Sequence, residues 1–99
     1  TKNNGFYLVV VNKGKVIGSI FASHDGGYYG YIYKLVVHPK FRKDGIATKL
    51  IKEIMKRFAK ERIHWIFAHV KKDNYASVRM FCKLGFKVRG IHLLLDILY

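Results

Sequence analysis

The sequence has 99 residues, 51% of them hydrophobic, and its 19 lysines and arginines against 6 acidic residues give a formal net charge of +13. This is enough apolar material for one small folded domain, so general disorder is excluded. No apolar run reaches the roughly 18 residues that cross a bilayer, and a single cysteine cannot form an internal disulfide. We therefore expect a cytoplasmic protein without membrane contact, whose basic surface attracts polyanions such as nucleic acid or a phosphorylated cofactor.

Apolar and aromatic runs predict three strands in the first part of the chain, at residues 6–11, 16–23 and 28–37. The first two are joined by a short turn rich in asparagine, glycine and lysine, which is typical of a β-hairpin. The third strand ends at His38-Pro39, since proline cannot continue a paired strand.

Residues 44–61 have the clearest periodicity and predict an amphipathic helix with a basic outer side. Apolar residues recur every four positions along it: Ile46, Leu50, Ile54 and Phe58. The rest of the chain predicts a strand, a helix and two further strands, at residues 63–70, 74–84, 86–89 and 91–98. The order β-β-β-α-β-α-β-β predicts an α/β (α+β) domain, because a helix between two strands makes them parallel within a mixed sheet.

The loop before the first helix has the residues of an anion site. Arg42 and Lys43 supply positive charge, while Gly45 and Ala47 let a bulky group approach the backbone. The first turn of a helix also presents unpaired N–H groups and a partial positive charge, which favours a pyrophosphate. An ordinary strand-to-helix turn with a glycine has the same local pattern.

Two motifs in this order resemble the signatures of the GNAT superfamily of acetyl-CoA-dependent N-acetyltransferases. The first comprises Leu35, Val37 and Pro39 followed by Arg42, Gly45 and Ala47. The second comprises Asn74, Ala76, Phe81, Gly85 and Phe86. The resemblance covers residues 6–98 and implies a single domain over residues 1–99, with a mostly antiparallel sheet splayed between the parallel strands around 31–38 and 63–70.

By this resemblance, acetyl-CoA lies in the splay and an amine attacks it directly in a ternary complex. The residues then implied to bind the cofactor are Leu35, Val36, Val37, Arg42, Lys43, Asp44, Gly45, Ile46, Ala47, Thr48, Asn74 and Phe81. The backbone N–H of Val37, or of Val36 beside it, would polarise the thioester carbonyl as an oxyanion donor. Asn74 would lie near the pantetheine arm, although a plain helix N-cap explains it equally.

The sequence departs from the family pattern at the catalytic groups. Phe81 stands where many members have a tyrosine that protonates the departing thiolate. His69 stands where some members have a glutamate base, and the ordinary histidine pKa of about 6.5 suits that role; the alternative, an ordinary strand histidine, is favoured by the four other histidines of the chain. Asp44 is expected to point outward from the pyrophosphate loop, and Cys82 is expected to be a small buried hydrophobe rather than a nucleophile.

The usual strand and helices at the start of the family fold, which build much of the acceptor pocket, have no counterpart here, so we expect either a minimal member or a fragment. Two other functions stay open: a catalytically weak acyl-CoA-binding module of a larger assembly, and a basic nucleic-acid-binding domain whose tyrosines stack on bases. Nucleic acid is not favoured, because the basic residues are scattered. The expected partners are acetyl-CoA and an amine acceptor, a homodimer is compatible, and no metal ligand pattern is present in the sequence.

Overall fold

A computed structural model describes residues 5–26, 28–42, 44–70, 75–89 and 92–96 of the chain. Six strands form one sheet in the order β1-β2-β3-β4-β6-β5. They are β1 (Gly5–Asn12), β2 (Lys15–His24), β3 (Tyr29–Val37), β4 (Trp65–Ala68), β5 (Lys87–Arg89) and β6 (His92–Asp96). β3 and β4 are parallel and the other pairs are antiparallel, which confirms the predicted mixed sheet and element order.

Two helices complete the fold, α1 (Ile46–Lys60) and α2 (Tyr75–Lys83). α1 begins two residues later than the periodicity predicts, after a 3-10 turn at Pro39–Phe41 that the sequence did not predict. The Nδ1 of His38 accepts the Lys40 N–H at 3.2 Å and so caps that turn. Within the described ranges, no helix is long and apolar enough to cross a membrane.

The hydrophobic core lies between the sheet and α1, which confirms the predicted apolar stripe of the helix. Its buried members on α1 are Ile46, Leu50, Ile51, Ile54 and Phe58. β4 covers Trp65–Ala68 and is therefore shorter than the predicted strand at residues 63–70. Ile63, predicted as the first residue of that strand, is instead fully buried in the turn that follows α1.

Cys82 does not belong to this core. It is exposed on α2, so the prediction of a buried hydrophobe was wrong. The reason is helical spacing: Cys82 shares the outer side of α2 with Tyr75 and Arg79, while Phe81 faces inward.

β3 approaches α1 closely at Gly30. A Cβ atom at this position would lie 2.6 Å from Cε2 of Phe58, whose ring is fully buried. We expect Gly30→Ala to lower the free energy of unfolding by about 1–3 kcal/mol, because the overpacked ring cannot move without displacing its neighbours. Urea denaturation would measure this loss.

The control for Gly30→Ala is the double variant with Phe58→Leu, which removes the ring that the new methyl group meets. The combined loss should be smaller than the sum of the two single losses, since the two positions share one contact. Additive losses would show that the contact between Gly30 and Phe58 is not the cause.

A β-bulge in β3 opens the sheet on the β4 side. Pairing with β2 passes from Ala22↔Ile32 directly to Phe21↔Lys34, so Tyr33 is an extra residue on β3. The register between β3 and β4 ends at Ile32↔Ala68. The bulge bends β3, and the two parallel strands part from Tyr33 onward, which confirms the predicted splay.

Candidate functional site

A cleft of about 430 Å³ lies where β3 parts from β4. Its walls come from the end of β3, the loop and first turn of α1, and the start of α2. The lining residues are Leu35, Val36, Val37, Arg42, Ala47, Ala76, Ser77 and Met80. The structure therefore brings together five of the residues that the sequence predicts to bind the cofactor.

Backbone groups at the end of β3 point into this cleft. The His38 N–H donates to the Ile17 carbonyl of β2 at 2.7 Å. Because amides alternate in direction along a strand, Val36 also directs its N–H toward β2. The N–H and carbonyl groups of Leu35 and Val37 consequently face the cleft, where β3 has passed the end of its register with β4.

The N-terminus of α1 closes one end of the cleft. Its first helical hydrogen bond runs from the Lys49 N–H to the Gly45 carbonyl at 3.1 Å. The N–H groups of Ile46, Ala47 and Thr48 therefore lie in the first turn, outside the helical ladder. No acidic residue lies in this turn and no side chain caps it, so the helix end retains its positive potential.

Gly45 gives the loop its shape. It has a φ of 75°, in the left-handed region that costs glycine little, and nothing lies within 4 Å of the position of an added Cβ. Asp44 beside it is exposed. Ile46 is buried in the core, so it can offer a ligand only its backbone amide.

Arg42 supplies the positive charge that the structure describes at the mouth of the cleft. Its Nε donates to the Val37 carbonyl at 3.3 Å, which ties the loop back to the end of β3. Lys43, predicted as its basic neighbour, and Asn74, predicted at the pantetheine arm, lie outside the described residues.

α2 presents two cleft residues that sequence reasoning missed, Ser77 and Met80. Helical spacing was the available signal, because positions 77 and 80 fall on one side of the predicted helix. Phe81 is 2% exposed and its ring packs edge-on against Phe86, with centroids 5.0 Å apart. Its side chain belongs to the core behind the cleft.

His69 lies at the point where the parallel strands part. Its N–H donates to the Ile32 carbonyl at 3.1 Å, next to the last paired residues of β3 and β4. Its ring is exposed on the outer face of the sheet and stacks on Tyr33, with centroids 5.5 Å apart and an interplanar angle of 6°. No group of three metal-ligating side chains occurs in the part of the chain that the structure describes.

A sheet parted between two parallel strands, with an open helix N-terminus at one end, forms a cleft for an elongated molecule that carries an anionic group. Residues 1–86 match the Acetyltransferase (GNAT) family. The chain belongs to this family.

The chain is similar in sequence to a curated acetyltransferase and similar in fold to solved structures of acetyltransferases. Acetyltransferase SG1711 of Sodalis glossinidius is 37% identical over 89 residues, which are 90% of this chain and 62% of that protein. A GNAT family acetyltransferase from Elizabethkingia anophelis, solved with acetyl-CoA bound, superposes with a TM-score of 0.86 at 14% identity over 95% of this chain and 77% of that one. The ribosomal-protein-S18-alanine N-acetyltransferase of Escherichia coli superposes with a TM-score of 0.88 at 14% identity, over 100% of this chain and 73% of that one.

At these identities the solved structures show the fold alone. The chain spans between 57% and 62% of the length of the curated relatives it matches.

Proposed function

We propose that the chain binds acetyl-CoA in the cleft beside β3 and transfers the acetyl group to a primary amine. The observation that carries this proposal is the row of cleft-facing amides on β3 that leads to the open N-terminus of α1. The pyrophosphate suits the N–H groups of Ile46, Ala47 and Thr48, since helix N-termini attract phosphate groups. Gly45 leaves open space there, and Arg42 adds a full positive charge.

The pantetheine arm suits the exposed edge of β3. An extended chain with amide groups can pair with a strand edge as an added strand does. Leu35 and Val37 supply the cleft-facing N–H and carbonyl groups for this pairing. On the opposite wall, Ser77 and Met80 of α2 enclose the arm with one hydroxyl and one flexible apolar side chain.

The bound cosubstrate supplies an acetyl thioester. The amine nitrogen attacks the carbonyl carbon, the carbon–sulfur bond breaks, and the sulfur leaves with the electron pair of that bond. The carbonyl oxygen gains negative charge on the way, and a fixed N–H donor there contributes about 2.7–4 kcal/mol. Val37 is the donor expected from the sequence; Leu35 also faces the cleft and lies nearer to the parting of the strands.

His69 is proposed to remove the proton from the amine. It lies at the parting of β3 and β4, so an amine that arrives from the outer face meets its ring beside the cleft. A free primary amine with a pKa of about 10.4 is mostly protonated at neutral pH and must lose a proton before attack. A neutral imidazole is a base of suitable strength for that proton.

Many members of this family have a tyrosine at the position of Phe81, and its phenol protonates the departing thiolate. We therefore expect Phe81→Tyr to raise turnover. General acids contribute about 10²–10⁴-fold, and the gain here should be nearer tenfold because a thiol with a pKa of about 8.5 leaves readily as an anion. Single-turnover kinetics over a pH series would measure it. Unchanged turnover in a folded variant would mean either that protonation of the sulfur does not limit the reaction or that the hydroxyl of this buried side chain does not reach the sulfur.

Incubating the chain with acetyl-CoA and an amine panel, while following free thiol and product mass, tests the proposed function. We expect thiol release together with a product 42 Da heavier than the amine, the mass that one acetyl group adds. Binding of acetyl-CoA without any product would instead support the acyl-CoA-binding module, which the missing hydroxyl at Phe81 favours. Absence of CoA binding would contradict both.

A further inference from the structure

The outer face of the sheet, opposite α1, carries a continuous set of aromatic rings. Tyr29, Tyr31 and Tyr33 project from this side of β3, since Gly30 and Ile32 between them face the core. Across β4, the ring of Phe67 stacks on Tyr31 with centroids 5.7 Å apart and an interplanar angle of 18°. Tyr29 and Tyr33 are 42% and 43% exposed.

A second cleft, of about 260 Å³, lies on this face and is lined by Tyr29, Tyr31, Phe67 and His69. Ligand sites for drug-sized molecules usually enclose about 300–1,000 Å³, so this cleft suits a single ring with a short arm. Its near-parallel rings give it flat walls. Such walls favour a planar aromatic group by stacking and an attached ammonium by cation–π attraction.

The aromatic cleft adjoins the cofactor cleft. His69 belongs to the former, and its N–H bonds to Ile32 at the last rung before β3 and β4 part. Tyr33, stacked on His69, is two residues from Leu35 in the latter. Two residues of a strand span about 7 Å, so a ring in the aromatic cleft with a two-carbon arm can direct its nitrogen toward the parting of the strands.

We propose that the acceptor is a primary amine on a short arm of a planar aromatic group, and that its ring stacks in the cleft of Tyr29, Tyr31, Phe67 and His69. This inference rests on the proposed function and names its substrate class. Stacking of the flat ring determines which amines bind. The attached ammonium group adds cation–π attraction until the ammonium loses its proton.

The test is binding of two amines to the complex of the chain with CoA, measured by calorimetry: phenethylamine and its saturated analogue cyclohexylethylamine. We expect phenethylamine to bind at least tenfold more tightly than the saturated analogue. Phe67→Leu should remove this preference and leave CoA affinity unchanged. The matched control is Phe21→Leu, an exposed ring on the same face but outside the cleft, which should keep the preference.

Equal binding of the saturated analogue, or a preference that survives Phe67→Leu, would overturn the proposed acceptor class. Neither of those results affects CoA binding, so the proposed function would stand. Loss of CoA binding in the unmodified chain is the distinct result that contradicts the proposed function itself.

Discussion

Replacing Gly45 with aspartate is expected to weaken CoA binding by about a hundredfold, because at an effective dielectric constant near 20 a unit charge 4 Å from another is worth about 4 kcal/mol before screening by salt. The carboxylate would stand at the N-terminus of α1, where the proposed site holds a pyrophosphate. Calorimetric titration with CoA would measure the loss.

The matched control is Gly45→Asn, which has the same shape without the charge. Asparagine and aspartate both tolerate the left-handed conformation that position 45 requires, and the space around it is open. We expect Gly45→Asn to bind CoA within about threefold of the unmodified chain, and the deficit of Gly45→Asp to shrink as salt is added. Equal affinities of the two variants would place the pyrophosphate elsewhere.

Replacing His69 with glutamine should lower turnover by about 10²–10⁴-fold, the usual contribution of a general base. Glutamine retains a polar side chain of similar reach but cannot take up a proton. In the unmodified chain the rate should rise with pH as the imidazole loses its proton, because only the neutral imidazole acts as the base. The pH–rate profile at saturating acetyl-CoA should lose this limb in His69→Gln.

His64→Gln is the control for that experiment. His64 precedes β4, and its Nδ1 lies 3.2 Å from the Arg62 carbonyl, away from both clefts. We expect this variant to keep the rise of rate with pH and the turnover of the unmodified chain. A limb that persists in His69→Gln with similar turnover would make His69 a structural residue.

The sequence predicted the order of elements because its periodic signals are strong. The four-residue spacing from Ile46 to Phe58 specifies the buried side of α1, and the crossover through this helix makes β3 and β4 parallel. Where β4 starts could not be predicted, because Ile63 is as apolar as a strand residue but is buried in the preceding turn. Trp65, Phe67 and His69 share the outer face of the sheet, as the alternation of side chains along a strand requires.

The site could be predicted only in part. The residues from Leu35 to Ala47 lie in one continuous segment, so their contribution to one cleft follows from local sequence. Ser77 and Met80 reach the same cleft through tertiary packing of α2. Helical spacing places both residues on one side of the helix, but the sequence does not indicate that this side faces the cleft. The bulge at Tyr33 was also hidden, because it is a property of the pairing between β2 and β3. This bulge determines that Leu35 and Val37, and not Val36, direct their amides into the cleft.

Amide hydrogen exchange followed by NMR, with and without CoA, tests the central claim most directly. Val36 and His38 direct their N–H groups toward β2, so their exchange should change little when CoA binds. The amides of Leu35 and Val37 should become strongly protected, together with those of Ile46, Ala47 and Thr48 in the first turn of α1. Binding of CoA that leaves the Leu35 and Val37 amides unprotected would contradict the placement of the cofactor along the free edge of β3.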